Sequence, residues 1–455
     1  MKLILLNKNC KRITASFFFL LISVCFAFSQ TEKPNIIYIL SDDQSWTDYG
    51  FMGHPHIETP RIDQLAEEGL TFTRGYVTAP LCSPSLASII TGLYPYQHGI
   101  TGNDPEFTFE KPRYQTDWQE ARSRLYRDYL DEFQKHPTVP QLLQKLGYVS
   151  FQSGKWWGGH WKDGGFTDGM THGDPTRGGR HGDEGLKIGR EGMDPIFDFM
   201  DEAIDNDDPF FVWYAPFLPH APHTPPDSLL QKYLPKAPTE AVAAYWAMCE
   251  WFDITVGQLL DKVEAEGLTD NTLVVFVTDN GWIQDPDRPN RYAPGSKQDP
   301  QDMGIRTPII YKWPGKITPR MDTENLTSSI DMAVTTLAAV GMEPLPDMQG
   351  INVLDTKELS KRKQIYSMDF SHDMVAVDQP EKTLENRIVI SGTWKLIDPG
   401  IANTDNQDIL LYDILEDPME TENLADEHPK VVKKLMADLD KWGFLENSIK
   451  FDHVG

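Results

Sequence analysis

The chain has 455 residues, is 40% hydrophobic and 24% charged, and carries a formal charge of −26. That balance excludes a disordered chain and leaves room for one large domain with a smaller one appended. The acidity argues against nucleic acid as a partner and against diffuse binding of a polyanion, so an anionic substrate must be held by a local cluster of cations.

In chain order, the first thirty residues differ from the rest. Lys2, Lys8, Lys11 and Arg12 precede the apolar run ASFFFLLISVCFAF, which is too short for a comfortable membrane span, and Ala27-Phe28-Ser29 has the small-x-small pattern of a cleavage site. Residues 1–29 are therefore predicted to be a signal peptide. The mature protein is then periplasmic or secreted and does not span the membrane. An N-terminal membrane anchor and a lipoprotein at Cys25 are the alternatives, although for the latter Val24 stands where a small residue is expected. Cleavage takes four basic residues away and moves the charge from −26 to about −30. It also removes Cys10 and Cys25, leaving Cys82 and Cys249, too few for a disulfide framework. Cys249 lies in the apolar helical stretch AYWAMCEWF and reads as a small buried hydrophobe.

Residues 30–361 read as an α/β domain. PNIIYILSDD, FFVWYAP, NTLVVFVTDN and TPIIYKWPG are near-continuous apolar runs, as expected of strands buried on both faces of a parallel sheet. Helical patterns alternate with them and stop at Gly69, Gly147 and Gly267, which predicts a doubly wound sheet. Residues 362–455 change character. KQIYSMDF, NRIVISGTWKLI and DILLYDILEDP are short strands and HPKVVKKLMADLDKW is an amphipathic helix, which predicts a small antiparallel sheet closed by a helix.

In a doubly wound sheet, functional groups gather at the carboxyl ends of strands. Asp42, Asp43, Asp279 and Asn280 fall there. Each pair alone is equally a cap or a turn. Together they are hard oxygen donors suited to Ca²⁺ or Mg²⁺, because adjacent acids without a cation repel. Cys82 opens a helix with Pro84 near its first turn, where amide ends favour an anion; a buried structural cysteine is the alternative.

APLCSPSLASIITG resembles the signature of the type I, formylglycine-dependent sulfatases, and GYVSFQSGKWW resembles their second signature. The N-terminal PNIIYILSDDQSWTDYG, the VVFVTDNG, the GSK before GIRTPII, and the C-terminal GTWKLI and LYDILEDPMETENLA are similar to the family in the same order. The resemblance implies an alkaline-phosphatase-like mixed sheet sandwiched by helices, with a C-terminal α+β subdomain. It implies that Asp42, Asp43, Asp279 and Asn280 bind the metal, normally calcium. It further implies that a maturation enzyme converts Cys82 to formylglycine, that Lys155 and Lys297 hold the sulfate, and that His220 stands beside the leaving-group oxygen. In the implied reaction one hydroxyl of the hydrated aldehyde attacks sulfur, His220 protonates the departing alcohol, and the second hydroxyl expels sulfate.

Two positions depart from the family pattern. Leu86 replaces the signature arginine, and Trp157 stands where a histidine is usual; His98 or His160 is a stand-in, or an ordinary hydrogen-bonded histidine. The aromatic, glycine-rich segment 156–174 reads as a glycan subsite or as core packing. Asn103, Asp104, His223, His372 and Asp373 complete the candidates for sugar recognition. The expected activity is hydrolysis of sulfate esters on a sulfated carbohydrate. Two rivals remain at this point. One is a phosphomonoester or phosphonate hydrolase of the same superfold, whose nucleophile is usually serine or threonine with two metals. The other is a glycan-binding protein without turnover.

Overall fold

The computed structural model describes residues 33–106, 116–173, 181–375, 379–400, 402–403 and 408–442. The predicted signal peptide and residue 174 of the aromatic segment lie outside them. The strands in chain order are β1 (Asn35–Ser41), β2 (Leu70–Tyr76), β3 (Asp104–Pro105), β4 (Val149–Gly154), β5 (Asp168–Gly169), β6 (Phe210–Ala215), β7 (Thr272–Thr278), β8 (Arg306–Lys312), β9 (Arg320–Asp322) and β10 (Thr327–Ser328). The C-terminal part adds β11 (Gln364–Phe370), β12 (Asp373–Met374), β13 (Leu384–Ser391), β14 (Trp394–Pro399) and β15 (Leu410–Asp413).

The main sheet runs β10-β2-β8-β7-β1-β6-β4-β5, with β9 beside β2. β7, β1, β6 and β4 are mutually parallel neighbours, so their carboxyl ends open on one edge of the molecule. Successive residues of β1 feed two separate cores. Ile36, Tyr38 and Leu40 pack on one face with the helices Cys82–Thr91 and Asp331–Ala339. Ile37 and Ile39 pack on the other with the helices Pro60–Glu68, Asp194–Asp205 and Glu240–Ala265. A strand clothed on both sides has no polar face to show, which is why it reads as a continuous apolar run.

The fourth predicted run, TPIIYKWPG, forms β8, which pairs antiparallel with both β7 and β2. The sheet is therefore mixed rather than parallel throughout. The β7–β8 connection carries only the four-residue helix Asp302–Ile305 and no long crossover helix.

The second sheet, β11-β13-β14-β15, is antiparallel. Ile365, Ile388, Ile390 and Ile397 on one face pack against Tyr76, Val77 and Ile305 of the main domain. Val389, Leu396 and Leu411 on the other are covered by Leu435 and Leu439 of the helix Pro429–Lys441. Full burial of each such side chain stabilises by about 1.5–3 kcal/mol. β3 and β12 pair parallel and tie the loop after the Cys82 helix to the loop after β11.

Candidate active site

Four parallel strands deliver the site. β1 runs directly into Asp42 and Asp43, β7 into Asp279 and Asn280, and β4 into Lys155, and β6 leads through four residues to His220. Gly154 makes the turn into Lys155: its φ is +80°, and a Cβ there would sit 1.8 Å from the Ala215 carbonyl oxygen, so only glycine fits. The Lys155 amide then donates to that same oxygen at 2.6 Å. Asp43 adopts φ 65°, a left-handed conformation that aspartate tolerates better than most residues.

Every member of the cluster is buried except His220, which is partly exposed, and the carboxylates are at most 2% exposed. Lys155 Nζ lies 2.5 Å from Asp42 Oδ1 and 3.5 Å from Asp279 Oδ2. Lys297 Nζ lies 2.5 Å from Asp43 Oδ1 and donates to Cys82 Sγ at 3.1 Å. Asp279 Oδ1 accepts the amides of Asp43 and Asn280 at 3.0 and 2.7 Å. Asn280 Nδ2 donates to Asp43 Oδ1 at 2.8 Å. One oxygen on each of the four residues is left over. Asp42 Oδ2, Asp43 Oδ2, Asp279 Oδ2 and Asn280 Oδ1 are buried and accept no hydrogen bond among the described residues. Ligand atoms of Asp42, Asp43, Cys82 and Asp279 all lie within 4.8 Å of one another. Orphaned buried oxygens are costly unless something positive meets them, and this all-oxygen set fits a hard divalent cation.

Electrostatics follow from that crowding. Burial pushes Asp42 well above the ordinary carboxylate range, although Lys155 opposes it, and Asp279 and Asp43 add to the rise. Burial acts on Asp43 too, but Lys297, His220 and Lys155 outweigh it and hold that carboxyl low. Burial disfavours charge on both lysines; Asp42 beside Lys155 and Asp43 beside Lys297 more than compensate, so both stay ammonium. The Cys82 thiol is pushed up to about 12 by burial, so it is no thiolate nucleophile at neutral pH.

Cys82 starts a helix whose N-cap residue Leu81 makes no side-chain cap. Asn103 supplies one from afar: its Oδ1 accepts the Ser83 amide at 2.9 Å. Of the remaining sequence candidates, His223 lies tilted beside Tyr245 and edge-on to Trp282, and neither ring nitrogen has a hydrogen-bond partner among the described residues. Asp104, His372 and Asp373 are brought together by the β3–β12 pairing. Three others are committed to packing or capping. Trp157 is 2% exposed and lies against Phe133 and Trp156 in the main core. His98 is fully buried, with Nε2 on Ser88 Oγ and Nδ1 accepting the Ile100 amide. His160 Nδ1 accepts the Lys162 amide at the start of a short 3₁₀ turn. Leu86, in place of the signature arginine, is buried in the same core as Trp157.

Sequence reading missed the brace behind His220. Arg190 Nη2 donates to the carbonyls of Phe217 and His220 at 2.6 and 2.9 Å, and its guanidinium lies over the Phe217 ring. Phe217 in turn stacks on His220 with ring centroids 4.0 Å apart. His220 Nδ1 meets the Ala221 carbonyl at 2.5 Å, which assigns its proton to Nδ1 and turns Nε2 toward Asp43 Oδ2, 3.4 Å away. No local motif marks Arg190; the only signal is that a loop rich in proline needs something to hold its carbonyls.

Residues 34–342 match the family model described as Sulfatase, and residues 298–443 match that of the N-sulphoglucosamine sulphohydrolase C-terminal region. N-acetylgalactosamine-6-sulfatase of Homo sapiens is 29% identical over an alignment covering 71% of this chain and 66% of that protein. N-acetylgalactosamine-6-O-sulfatase of Bacteroides thetaiotaomicron is 24% identical, with 89% of this chain and 92% of that one covered. The solved structure of Ps i-CgsB in complex with k-i-k-neocarrahexaose superposes with a TM-score of 0.70 at 22% identity, covering 90% of this chain and 92% of that one, which shows a shared fold. With the family model spanning well over half of its length, the chain belongs to the sulfatase family, the sulfuric ester hydrolases.

Proposed function

We propose that the protein is an exported sulfatase that hydrolyses sulfate esters on a sulfated glycan, with calcium at Asp42, Asp43, Asp279 and Asn280 and formylglycine made from Cys82. The observation that carries this reading is the set of four orphaned oxygens beside two ammonium groups and Cys82. Three carboxylates against two lysines leave the pocket one charge negative; a divalent cation makes it one charge positive, the sign that receives a sulfate monoester. The names of the Bacteroides relative and of the neocarrahexaose-bound structure support a carbohydrate substrate. The basic and apolar N-terminal segment supports export, and no helix among the described residues is long and apolar enough to cross a membrane.

When bound, the cation and the aldehyde hydrate supply charge neutralisation and a nucleophilic oxygen at sulfur. The chain's own residues do the rest. Lys297, between Asp43 and Cys82, is placed to hold one sulfate oxygen, and Lys155 to hold another. Both are already buried and charged, so little reorganisation is needed as negative charge develops. His220 is pushed well below its ordinary value, chiefly by burial, with Asp43 opposing. The arriving sulfate favours the imidazolium, and Nε2 is the atom that gives its proton to the departing sugar oxygen, because Nδ1 is held by Ala221. Arg190 and Phe217 fix that ring against rotation.

Two measurements on protein from an exporting host test the proposal: mass spectrometry of the peptide containing residue 82, and sulfate release from a panel of sulfated sugars beside the matching phosphate esters. An aldehyde at residue 82 with faster sulfate release supports it. A free thiol with full sulfate release removes the formylglycine, and an aldehyde with preferential phosphate release removes the sulfatase.

A further inference from the structure

Lys297 has a second side. Beyond the cluster it lines an open cleft of about 610 Å³ between the loop after β7 and the end of β11. The cleft holds several charges, and nearly all are already spoken for. Arg288 Nε donates to Asp285 Oδ2 at 2.6 Å. His372 Nδ1 contacts Asp373 Oδ1 at 2.5 Å. Lys297 serves Asp43. Among the acids, Asp369 accepts from Asn386 Nδ2 at 2.9 Å, Asp299 accepts the Gly295 amide at 2.8 Å, and Glu385 accepts the Ser371 hydroxyl at 2.7 Å. Burial pushes Asp369 and Asp299 upward, and Glu385 is the third acid of the cleft. Arg291 is the exception. Its guanidinium is exposed, lines the same cleft, and has no carboxylate or hydrogen-bond partner among the described residues. In a chain this acidic, an arginine left open beside a buried sulfate-holding lysine points outward to a ligand.

We propose that this cleft is a second anion subsite, in which Arg291 takes a carboxylate or sulfate on the sugar next to the one that carries the scissile ester. The planar fork of arginine matches either oxyanion with two parallel hydrogen bonds. The proposal rests on the glycan-sulfatase reading above and narrows it to polyanionic glycans. Ser371, Glu385 and His372, which line the same cleft, then face the hydroxyls of that neighbouring sugar.

The test compares three probes: a sulfated hexosamine linked to a hexuronate, the same disaccharide with its carboxyl reduced, and a disulfated galactose disaccharide. The readout is selectivity, the kcat/KM for a two-anion probe divided by that for the one-anion probe. Arg291→Ala is expected to lower this ratio about tenfold, through KM, with Arg291→Lys in between. Glu385→Gln is expected to raise it. The probe whose ratio collapses tells carboxylate from sulfate. A ratio unchanged in both Arg291→Ala and Glu385→Gln overturns the subsite. Calorimetric binding of the same probes to Cys82→Ser protein separates this from failure of the sulfatase reading. An Arg291-dependent difference in binding without any turnover in wild type keeps the subsite and sinks the activity, and absence of binding to all three overturns the subsite.

Discussion

Two buried clusters of charge in this molecule look alike in composition and differ in how they close. Asp331, fully buried, spends both oxygens twice. Oδ1 accepts the Ile351 amide and Arg362 Nη2, each at 2.8 Å, and Oδ2 accepts the Ser328 amide at 2.8 Å and Arg362 Nη1. Nothing is left for a ligand. At the ends of β1 and β7, by contrast, Asp42, Asp43, Asp279 and Asn280 each leave one oxygen without a hydrogen-bond partner. A structural ion pair is one whose hydrogen-bonding capacity is used up internally. A binding cluster keeps acceptor oxygens unspent at a cost in stability, because like charges sit together with too little to neutralise them.

Neutralising one member of each cluster should have opposite effects on the two. Asp279→Asn keeps an oxygen to accept the amides of Asp43 and Asn280 but removes a charge from the crowd. Sulfate release is expected to fall by about 1000-fold or more. The denaturation midpoint of chelator-treated protein, followed by circular dichroism, should stay level or rise. If that midpoint falls by an amount equivalent to several kcal/mol of unfolding free energy, the open cluster is structural after all. Arg362→Ala is the opposite case. It leaves Asp331 charged and buried, and should cost about 3–5 kcal/mol of stability. KM for the glycan is expected to be unmoved where the protein remains folded.

The open cluster was visible in sequence for a physical reason, and the closed one was not. Strands β1, β6 and β7 are buried on both faces, so apolar runs marked them, and the first polar residues after β1 and β7 had to lie at the sheet edge. β4 was seen only as a motif. Its interior alternates Ser150, Gln152 and Ser153 with Phe151, and those polar groups are buried and hydrogen-bonded to Thr167, Thr171 and Trp213. Hydropathy cannot register a polar residue whose partner is remote in the chain. The same limit hides Asp331 with Arg362, and Arg190 behind His220. Motif offsets also mark positions without saying what packs there: Trp157 and Leu86 fill the core, and no offset carries that information.

A milder perturbation is to supply what the open cluster lacks. Calcium at one hundred times its dissociation constant is expected to stabilise the folded state by about 2.7 kcal/mol, read as a rise in the unfolding midpoint that chelator reverses. Asp279→Asn should abolish most of that rise, whereas Arg362→Ala should retain it on a lowered baseline. Equal rises in wild type and Asp279→Asn would place the cation elsewhere.

The smallest effect comes from a third kind of buried carboxylate, one closed only by backbone. Asp253 Oδ1 accepts the amides of Arg61 and Ile62 at 3.0 and 2.7 Å, capping the helix Pro60–Glu68. Among the described residues no cation forms an ion pair with it, and burial raises its pKa to about 7, with Asp63 adding to the rise and the two amides and the Arg61 charge opposing. The folded state therefore holds a proton that the unfolded chain has already released, and this contribution to stability is present in acid and lost as pH rises through about 7. Asp253→Asn keeps the acceptor and removes the charge. It should match wild type near pH 4 and gain on it steadily up to about pH 7, beyond which the difference stays constant, measured as unfolding free energies across that range. A gain that does not depend on pH would mean that Asp253 is ionised throughout, and that two amides alone suffice to close a buried carboxylate.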